Sequence, residues 1–118
     1  MDGVYSVEAS MKNPILTQPQ RVQEFILDSQ ARTVVFRQHS QRLMRIEFGL
    51  LEHLFQHEGC LVPHLELLQA VWGAQVTVES PTVNSHIVRL RRKLRAIGTQ
   101  VFVIETVWGL GYRFRWVS

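Results

Sequence analysis

The stretch Ser80-Pro-Thr-Val-Asn-Ser-His-Ile-Val-Arg-Leu-Arg-Arg-Lys93 decides the fold of this chain. Four apolar residues recur at spacings of four, three and four, the last of them just beyond the stretch: Val83, Ile87, Leu90 and Leu94. At 100° per residue these positions fall within a band of roughly 60° on a helix. Ser80 can cap the helix amino terminus, and Pro81 then falls at the first helical position, where its missing N–H costs nothing. The stretch therefore predicts a helix over about residues 80–96 with one narrow buried stripe.

The rest of the helix circumference is polar and increasingly basic. It carries Thr82, Asn84, Ser85, His86, Arg89, Arg91, Arg92, Lys93 and Arg95. These side chains can donate to phosphates and to base edges, as a helix that lies in a DNA groove must do. An ordinary solvated basic face has the same composition, and charge alone does not choose between the two.

The net charge of +3 is unevenly distributed over the 118 residues. Residues 86–118 contain seven Arg or Lys and one acid, Glu105, whereas residues 1–85 contain six basic and nine acidic residues. This asymmetry is typical of a protein with one face that meets a polyanion. The length allows a single compact domain.

Upstream of the basic helix, the sequence predicts a small antiparallel sheet followed by two helices. The strand-like segments are residues 22–28, 33–37 and 40–44, and the helical segments are residues 46–56 and the stretch that Pro63 opens and Gly73 closes, with Leu61-Val62 as an extended link between them. Residues 1–20 show no sustained period, so we expect a flexible lead-in ahead of a domain over residues 21–118.

Downstream, residues 101–106 and 112–117 predict two strands joined by a turn that contains Gly109 and Gly111. In the second strand, three aromatic residues (Tyr112, Phe114 and Trp116) alternate with two arginines (Arg113 and Arg115). One face of this hairpin should therefore pack while the other displays charge. The predicted fold is an α+β winged helix-turn-helix with an N-terminal antiparallel sheet, three helices and a C-terminal β-hairpin wing.

Four blocks of the sequence resemble the winged-helix effector domain of OmpR/PhoB-type bacterial transcription regulators. They are EFGLL at residues 47–51, LLQAVWG at 67–73, TVNSHIVRLRRKL at 82–94 and ETVWGLGYR at 105–113. The resemblance covers about residues 22–116. It implies a sequence-specific regulator of transcription that binds double-stranded promoter DNA, with a four-stranded N-terminal sheet, the third helix in the major groove and the wing (101–117) over the minor groove.

The same resemblance implies which residues bind DNA. The set is Thr82, Asn84, Ser85, His86, Arg89, Arg91, Arg92, Lys93, Thr106, Trp108, Tyr112 and Arg113. Within it, Arg89 is the candidate for reading guanine, since its guanidinium fork matches two adjacent acceptors. Residues matching Arg91, Thr106 and Tyr112 touch phosphates or steady the wing. A surface loop offered to RNA polymerase corresponds to Gln75, Val76, Thr77, Val78 and Glu79.

Some positions depart from the family pattern. Met44 stands where a Thr usually caps the first helix, so half of the capping box with Glu47 is missing, at a cost of about 1 kcal/mol. Trp108 stands where the wing usually carries an Arg that enters the minor groove. An indole has no charge, so Trp108 lies against sugars, wedges at a base step, packs on another protein, or covers the base of the hairpin.

Two other classes of function compete with this interpretation. A zinc enzyme could use His53, His57, Cys60 and His64, but the spacing is loose and no paired acid or base accompanies it. We expect no metal, no cofactor and no catalysis. The alternative is a winged-helix protein-protein interaction module, a co-regulator without DNA specificity of its own. Trp108 supports this alternative, and the basic helix is evidence against it.

The remaining expectations concern the cellular setting. We expect a homodimer on DNA, because OmpR/PhoB-type domains usually bind repeated half-sites in pairs. No apolar run approaches the roughly 20 residues that span a bilayer, and the start lacks a signal pattern, so we expect a cytoplasmic, nucleoid-associated protein. The short lead-in leaves no room for a receiver domain, which predicts that phosphorylation within this chain does not regulate it.

Overall fold

A computed structural model describes residues 4–6, 25–75, 82–98 and 101–117 of the chain. Seven strands and three helices occur in these ranges. In chain order they are β1 (Val4–Ser6), β2 (Phe25–Asp28), β3 (Thr33–Phe36), β4 (His39–Arg42), α1 (Arg45–Gln56), β5 (Leu61–Pro63), α2 (His64–Trp72), α3 (Thr82–Ala96), β6 (Phe102–Val107) and β7 (Gly111–Trp116). The predicted winged helix-turn-helix fold is confirmed.

The N-terminal sheet is a four-stranded antiparallel meander in the order β1-β2-β3-β4. Its register pairs Phe25 with Phe36 and Leu27 with Val34, so alternate residues face the core. Within the stretch 1–20, for which the sequence predicts a flexible lead-in, Val4–Ser6 form a strand that pairs with β2. Three residues are too few to show a period of two, and the other residues of that stretch lie outside the described ranges.

Helix α1 contacts this sheet through Phe55 and Phe25, and it also packs against α2. In α1 the apolar side includes Phe48, Leu51 and Phe55, all buried as predicted. The second helix begins one residue after Pro63, with which the sequence opens it. Pro63 ends β5 and occupies the N-cap position before His64. Leu67 and Leu68 of α2 are buried in the core, whereas Leu65 is exposed.

The basic helix α3 buries the stripe that its sequence predicts. The four stripe residues, Val83, Ile87, Leu90 and Leu94, are all in the core. The helix ends at Ala96, followed by Gly98 with a φ of 78°. The proposed cap, Ser80 and Pro81, lies outside the described residues.

The wing belongs to a three-stranded sheet in the order β5-β7-β6. The sequence indicated an extended link at Leu61-Val62 but not its pairing with β7, because that pairing joins segments about fifty residues apart. Gly111 makes this pairing possible, since a Cβ there would meet the Val62 carbonyl oxygen at 2.1 Å.

Aromatic residues join the two sheets through α1. Phe25 of the first sheet contacts Phe55 of α1 and Phe102 of the wing, with ring centroids 5.9 and 5.0 Å apart. Trp116 packs on the same group, and its indole N–H donates to Glu58 at 2.7 Å. The wing is therefore anchored at its base while its turn projects away. In the described part of the chain, no helix has both the length and the apolar character to cross a bilayer.

Candidate nucleic-acid interface

The surface of α3 opposite its buried stripe is polar and open. It exposes Asn84, Ser85, Val88, Arg89 and Arg92. Within the described residues, neither Arg89 nor Arg92 takes part in an ion pair. Two guanidinium groups are therefore available on this face for an external acceptor.

His86 has a contact inside the protein. Its ring meets the edge of Trp72 in α2, with centroids 5.3 Å apart. This contact joins the last turn of α2 to the first turns of α3. His86 is half-buried and is part of the α2–α3 packing as well as of the polar face.

Lys93 is directed toward the core side of α3. Its Nζ lies 2.7 Å from Oε1 of Glu47, which is fully buried at the start of α1. The same oxygen accepts the N–H of Met44 at 2.9 Å, which is the half of the capping box that Met44 leaves intact. The side chain of Met44 makes no capping hydrogen bond, as predicted.

Burial disfavours a charged Glu47, but other influences outweigh it. The hydrogen bonds from Lys93 and the Met44 N–H, with the positive charges of Lys93 and Arg89, hold the pKa of Glu47 below its ordinary value. The carboxylate is therefore ionised at neutral pH and ties α3 to α1. Lys93 has this structural partner in addition to its predicted role at DNA.

Arg91 connects α3 to the wing. Its guanidinium donates to the carbonyl oxygen of Ile104 through Nε at 3.1 Å, and to Thr106 Oγ1 through Nη2 at 2.8 Å. Tyr112 lies across the hairpin from Thr106 and is only 4% exposed. Burial raises the pKa of Tyr112, and the charge of Arg91 offsets part of that rise. Of the two roles predicted for Arg91, Thr106 and Tyr112, these contacts fit the one that steadies the wing.

The outer face of the wing pairs its charges. Glu105 accepts from Nε of Arg113 at 2.9 Å and from Nε of Arg115 at 2.7 Å. These two hydrogen bonds lower the pKa of Glu105 from its ordinary value. The two arginines that made the hairpin look basic thus share one carboxylate between them.

The tip of the wing is apolar. Trp108 is 88% exposed, and Leu110 beside it is also exposed, on a turn where Gly109 has a φ of 78°. This exposure contradicts the alternative in which Trp108 covers the base of the hairpin. A groove of about 340 Å³ separates the turn from α3 and is lined by Asn84 and Trp108. The tip and the polar face of α3 therefore border a common groove.

Several predicted residues cannot be placed. Val76, Thr77, Val78 and Glu79 of the polymerase loop lie outside the described ranges, as does the side chain of Thr82. Gln75, the first residue of that loop, is exposed just after α2.

Sequence reasoning missed the ion pairs that two acids form with residues of the basic surface. Glu47 was noted only as a capping residue, although it neutralises Lys93, which is 46 positions away. Glu105 was counted as the one acid of the basic end, and its register opposite Arg113 in the hairpin could have identified it as that arginine's partner.

The histidine and cysteine set considered for zinc is only partly brought together. His53 and His57 stack with ring centroids 4.4 Å apart, but His64 faces Tyr112 on the other side of α2. Their nearest carboxylate is Glu66, which the sequence did not single out.

The chain is similar to proteins that are already known. A family model described as "Transcriptional regulatory protein, C terminal" matches residues 38–114. The response regulator SaeR of Staphylococcus aureus is 37% identical over 91 residues, which cover 77% of this chain and 40% of SaeR. The chain thus spans less than half the length of this curated relative.

Two solved structures are similar in both sequence and shape. The DNA-binding domain of CpxR from E. coli is 32% identical with a TM-score of 0.66, over 80% of this chain and 93% of that one. The DNA-binding domain of Klebsiella pneumoniae RstA, solved in complex with the RstA box, is 30% identical with a TM-score of 0.66, over 78% of this chain and 91% of that one.

Proposed function

This chain belongs to the OmpR/PhoB-type family of transcriptional regulatory protein C-terminal domains, and on that premise we propose that α3 enters the major groove of promoter DNA while the wing lies over the adjacent minor groove. The family consists of DNA-binding regulatory domains and not of enzymes. The predictions of a sequence-specific DNA-binding transcription regulator and of no enzymatic activity are therefore confirmed.

The observation that carries the proposed geometry is the division of α3 into two faces. Four apolar residues bury one face of the helix in the core. The rest of its surface exposes Asn84, Arg89 and Arg92. A major groove admits one helix, and amide and guanidinium groups can bond in pairs to adenine and guanine edges. We assign base reading to Arg89, because it is exposed away from the stripe and forms no ion pair with the residues that the structure describes.

The wing has a different role in this proposal. Because Arg113 and Arg115 share Glu105, the hairpin brings less free positive charge to DNA than its sequence indicates. The exposed indole of Trp108 is its most prominent group. We propose that Trp108 contacts sugars or a base step in the minor groove, where apolar side chains of other proteins insert.

Selection of bound duplexes from a randomised pool, followed by a salt titration on the selected site, tests the function. We expect a defined consensus and a log-linear loss of affinity with salt, with a slope that corresponds to about 3 to 5 phosphate contacts per domain. A scrambled duplex of equal length is the control and should bind more weakly with a similar slope. Binding that is absent, or that salt does not affect, would contradict the proposal.

A second candidate function is a protein-protein interaction module, for which the exposed Trp108 and Leu110 are the supporting observation. The two functions differ in which residues matter. A module would lose its partner on Trp108→Ala and keep it on Arg89→Ala, whereas a DNA reader loses sequence preference on Arg89→Ala.

The proposal extends to partners. We propose that two copies bind adjacent half-sites as a homodimer on DNA and that the loop 75–79 contacts RNA polymerase, which would place the protein in the cytoplasm at the nucleoid. Paired half-sites in the selected consensus, about one helical turn apart, would support the dimer. A single half-site that is bound as tightly as a pair would contradict it.

A further inference from the structure

A cluster of potential metal ligands lies where the carboxyl half of α1 meets the first turn of α2. It consists of His53, His57 and Glu66, whose ligand atoms all lie within 4.8 Å of one another. His53 lies in α1, His57 is the C-cap residue four positions later, and the glutamate comes from α2. None of the three lies on the α3 face assigned to DNA, and none belongs to the buried core.

The distance between two of the three ligands suits a small divalent ion. Nε2 of His53 is 3.1 Å from Oε2 of Glu66. Bonds of about 2.0 to 2.2 Å to zinc in tetrahedral geometry place two ligand atoms about 3.3 Å apart. The His53 and Glu66 side chains already have the separation of two ligands on one ion.

A hydrogen bond of His57 determines which of its ring nitrogens can bind a metal ion. Its Nδ1 lies 2.8 Å from the backbone carbonyl oxygen of His53. A carbonyl only accepts, so Nδ1 of neutral His57 carries the proton and Nε2 has the free electron pair. Metal-binding histidines are commonly oriented in this way, with the other ring nitrogen donating to a backbone carbonyl or a carboxylate.

We propose that His53, His57 and Glu66 form a binding site for a divalent ion of the zinc class, which links α1 to α2. Two imidazoles and one carboxylate are ligands that zinc accepts, with water at the remaining position. The His53–Glu66 hydrogen bond is replaced when the ion binds, because the metal takes the place of the proton between the two atoms. The proposal replaces the set of His53, His57, Cys60 and His64 that the sequence suggested, and it changes the expectation that the chain binds no metal.

Such an ion would act on the helix pair that supports α3. Glu66 is followed directly by the two core residues of α2, Leu67 and Leu68. The same helix ends at Trp72, which contacts His86 of α3. An ion between α1 and α2 would therefore stabilise the helix pair that supports α3 without touching the exposed face of α3.

Zinc titration of the untagged full chain, in competition with a chromophoric chelator, tests the ligand set. We expect one ion per chain and a loss of affinity of at least about 10-fold in Glu66→Gln and in His57→Gln. Glu66 is 47% exposed, so its replacement should not prevent folding. The matched controls are His39→Gln and Cys60→Ser, both at exposed positions, which should bind as the unchanged chain does.

Three outcomes would overturn the proposal: no stoichiometric binding, unchanged affinity in Glu66→Gln, or lost affinity in Cys60→Ser. The second would mean that the histidine pair chelates zinc alone, and the third that a different set is used.

Thermal unfolding gives an independent readout. Zinc at about 100 times its dissociation constant should raise Tm by about 10 °C, because the ion binds only the folded arrangement. The rise should fall to about half or less in Glu66→Gln at the same zinc concentration, as expected for an affinity loss of about 10-fold or more, and persist in full in His39→Gln. An equal rise in all three proteins would assign the effect to other sites and contradict the proposal.

Discussion

Helix α3 and the wing both contain several basic residues, yet the structure gives these residues different partners. On α3, Arg89 and Arg92 stay exposed, and Lys93 and Arg91 bind other parts of the protein. On the wing, both arginines are bound to Glu105, and the exposed tip is an indole. The comparison teaches that the number of basic residues in a segment does not measure the charge it can offer to DNA.

Removal of the Lys93 ammonium should have the largest effect on the folded state. Lys93→Met leaves the buried Glu47 carboxylate without its counter-ion, and we expect the free energy of unfolding to fall by about 3 to 5 kcal/mol at neutral pH. Urea denaturation followed by circular dichroism measures this. Arg92→Met, which removes an exposed charge from the same helix, is the control and should change stability by about 0.5 kcal/mol or less. Similar effects of both variants would mean that Lys93 is not part of the scaffold.

The pH dependence of the Lys93→Met effect has a defined sign. In the unchanged chain the pKa of Glu47 is lowered, so its stabilising contribution is complete above the unfolded pKa and is lost as pH falls through the folded value. In Lys93→Met, burial is the dominant influence on Glu47 and raises its pKa. The carboxylate therefore takes up a proton as pH falls, and the destabilisation of the variant becomes smaller. The stability difference should narrow from neutral pH towards the unfolded pKa of about 4.3. A stability difference that does not change with pH would contradict the buried ion pair between Lys93 and Glu47.

Arg91 should rank next, because it connects the helix to the wing. Arg91→Met removes the charged hydrogen bonds to Ile104 and Thr106, which should cost about 1 to 3 kcal/mol of stability. Hydrogen exchange of the β6 amides should accelerate more than that of β3. Equal acceleration in both strands would show that Arg91 does not hold the wing in particular.

For substitutions of Trp108 at the tip of the wing, the salt dependence of DNA binding should depend more on the charge of the new side chain than on its size. Trp108→Arg adds a cation at the minor groove and should steepen the salt dependence of DNA binding by about one unit. Trp108→Gln is the uncharged control and should leave the slope as it is. Because Trp108 is exposed, neither variant should alter stability by more than about 0.5 kcal/mol. An unchanged slope in Trp108→Arg would place the tip away from DNA.

The smallest effect should come from Arg113. In Arg113→Ala, Arg115 still binds Glu105, so stability should fall by no more than about 1 kcal/mol. DNA binding should weaken alike for all sequences and by less than in Arg92→Ala. A change in the ranking of sites would mean that the wing reads bases, and the distinction between the two regions would fail.

Features that depend on residues close together in the sequence could be predicted, and contacts between residues far apart in the sequence could not. The stripe from Val83 to Leu94 repeats with the helical period, so a local pattern was sufficient to place it. The hairpin followed from alternation and Gly109. The bond between Lys93 and Glu47 joins two helices, and its residues carry no local sign of each other. The grouping of His53 and His57 with Glu66 likewise depends on how α1 crosses α2.

Base selection by Arg89→Ala tests the central claim most directly. Selection from a randomised duplex pool, carried out in parallel with the unchanged chain and Arg42→Ala as a charge-matched control on β4, gives the preference at each position of the site. We expect Arg89→Ala to lose about 1 to 3 kcal/mol on the preferred site and to relax preference at one base pair, with Arg42→Ala unchanged in ranking. A consensus that is the same for Arg89→Ala and the unchanged chain would contradict the assignment of base reading to the exposed face of α3.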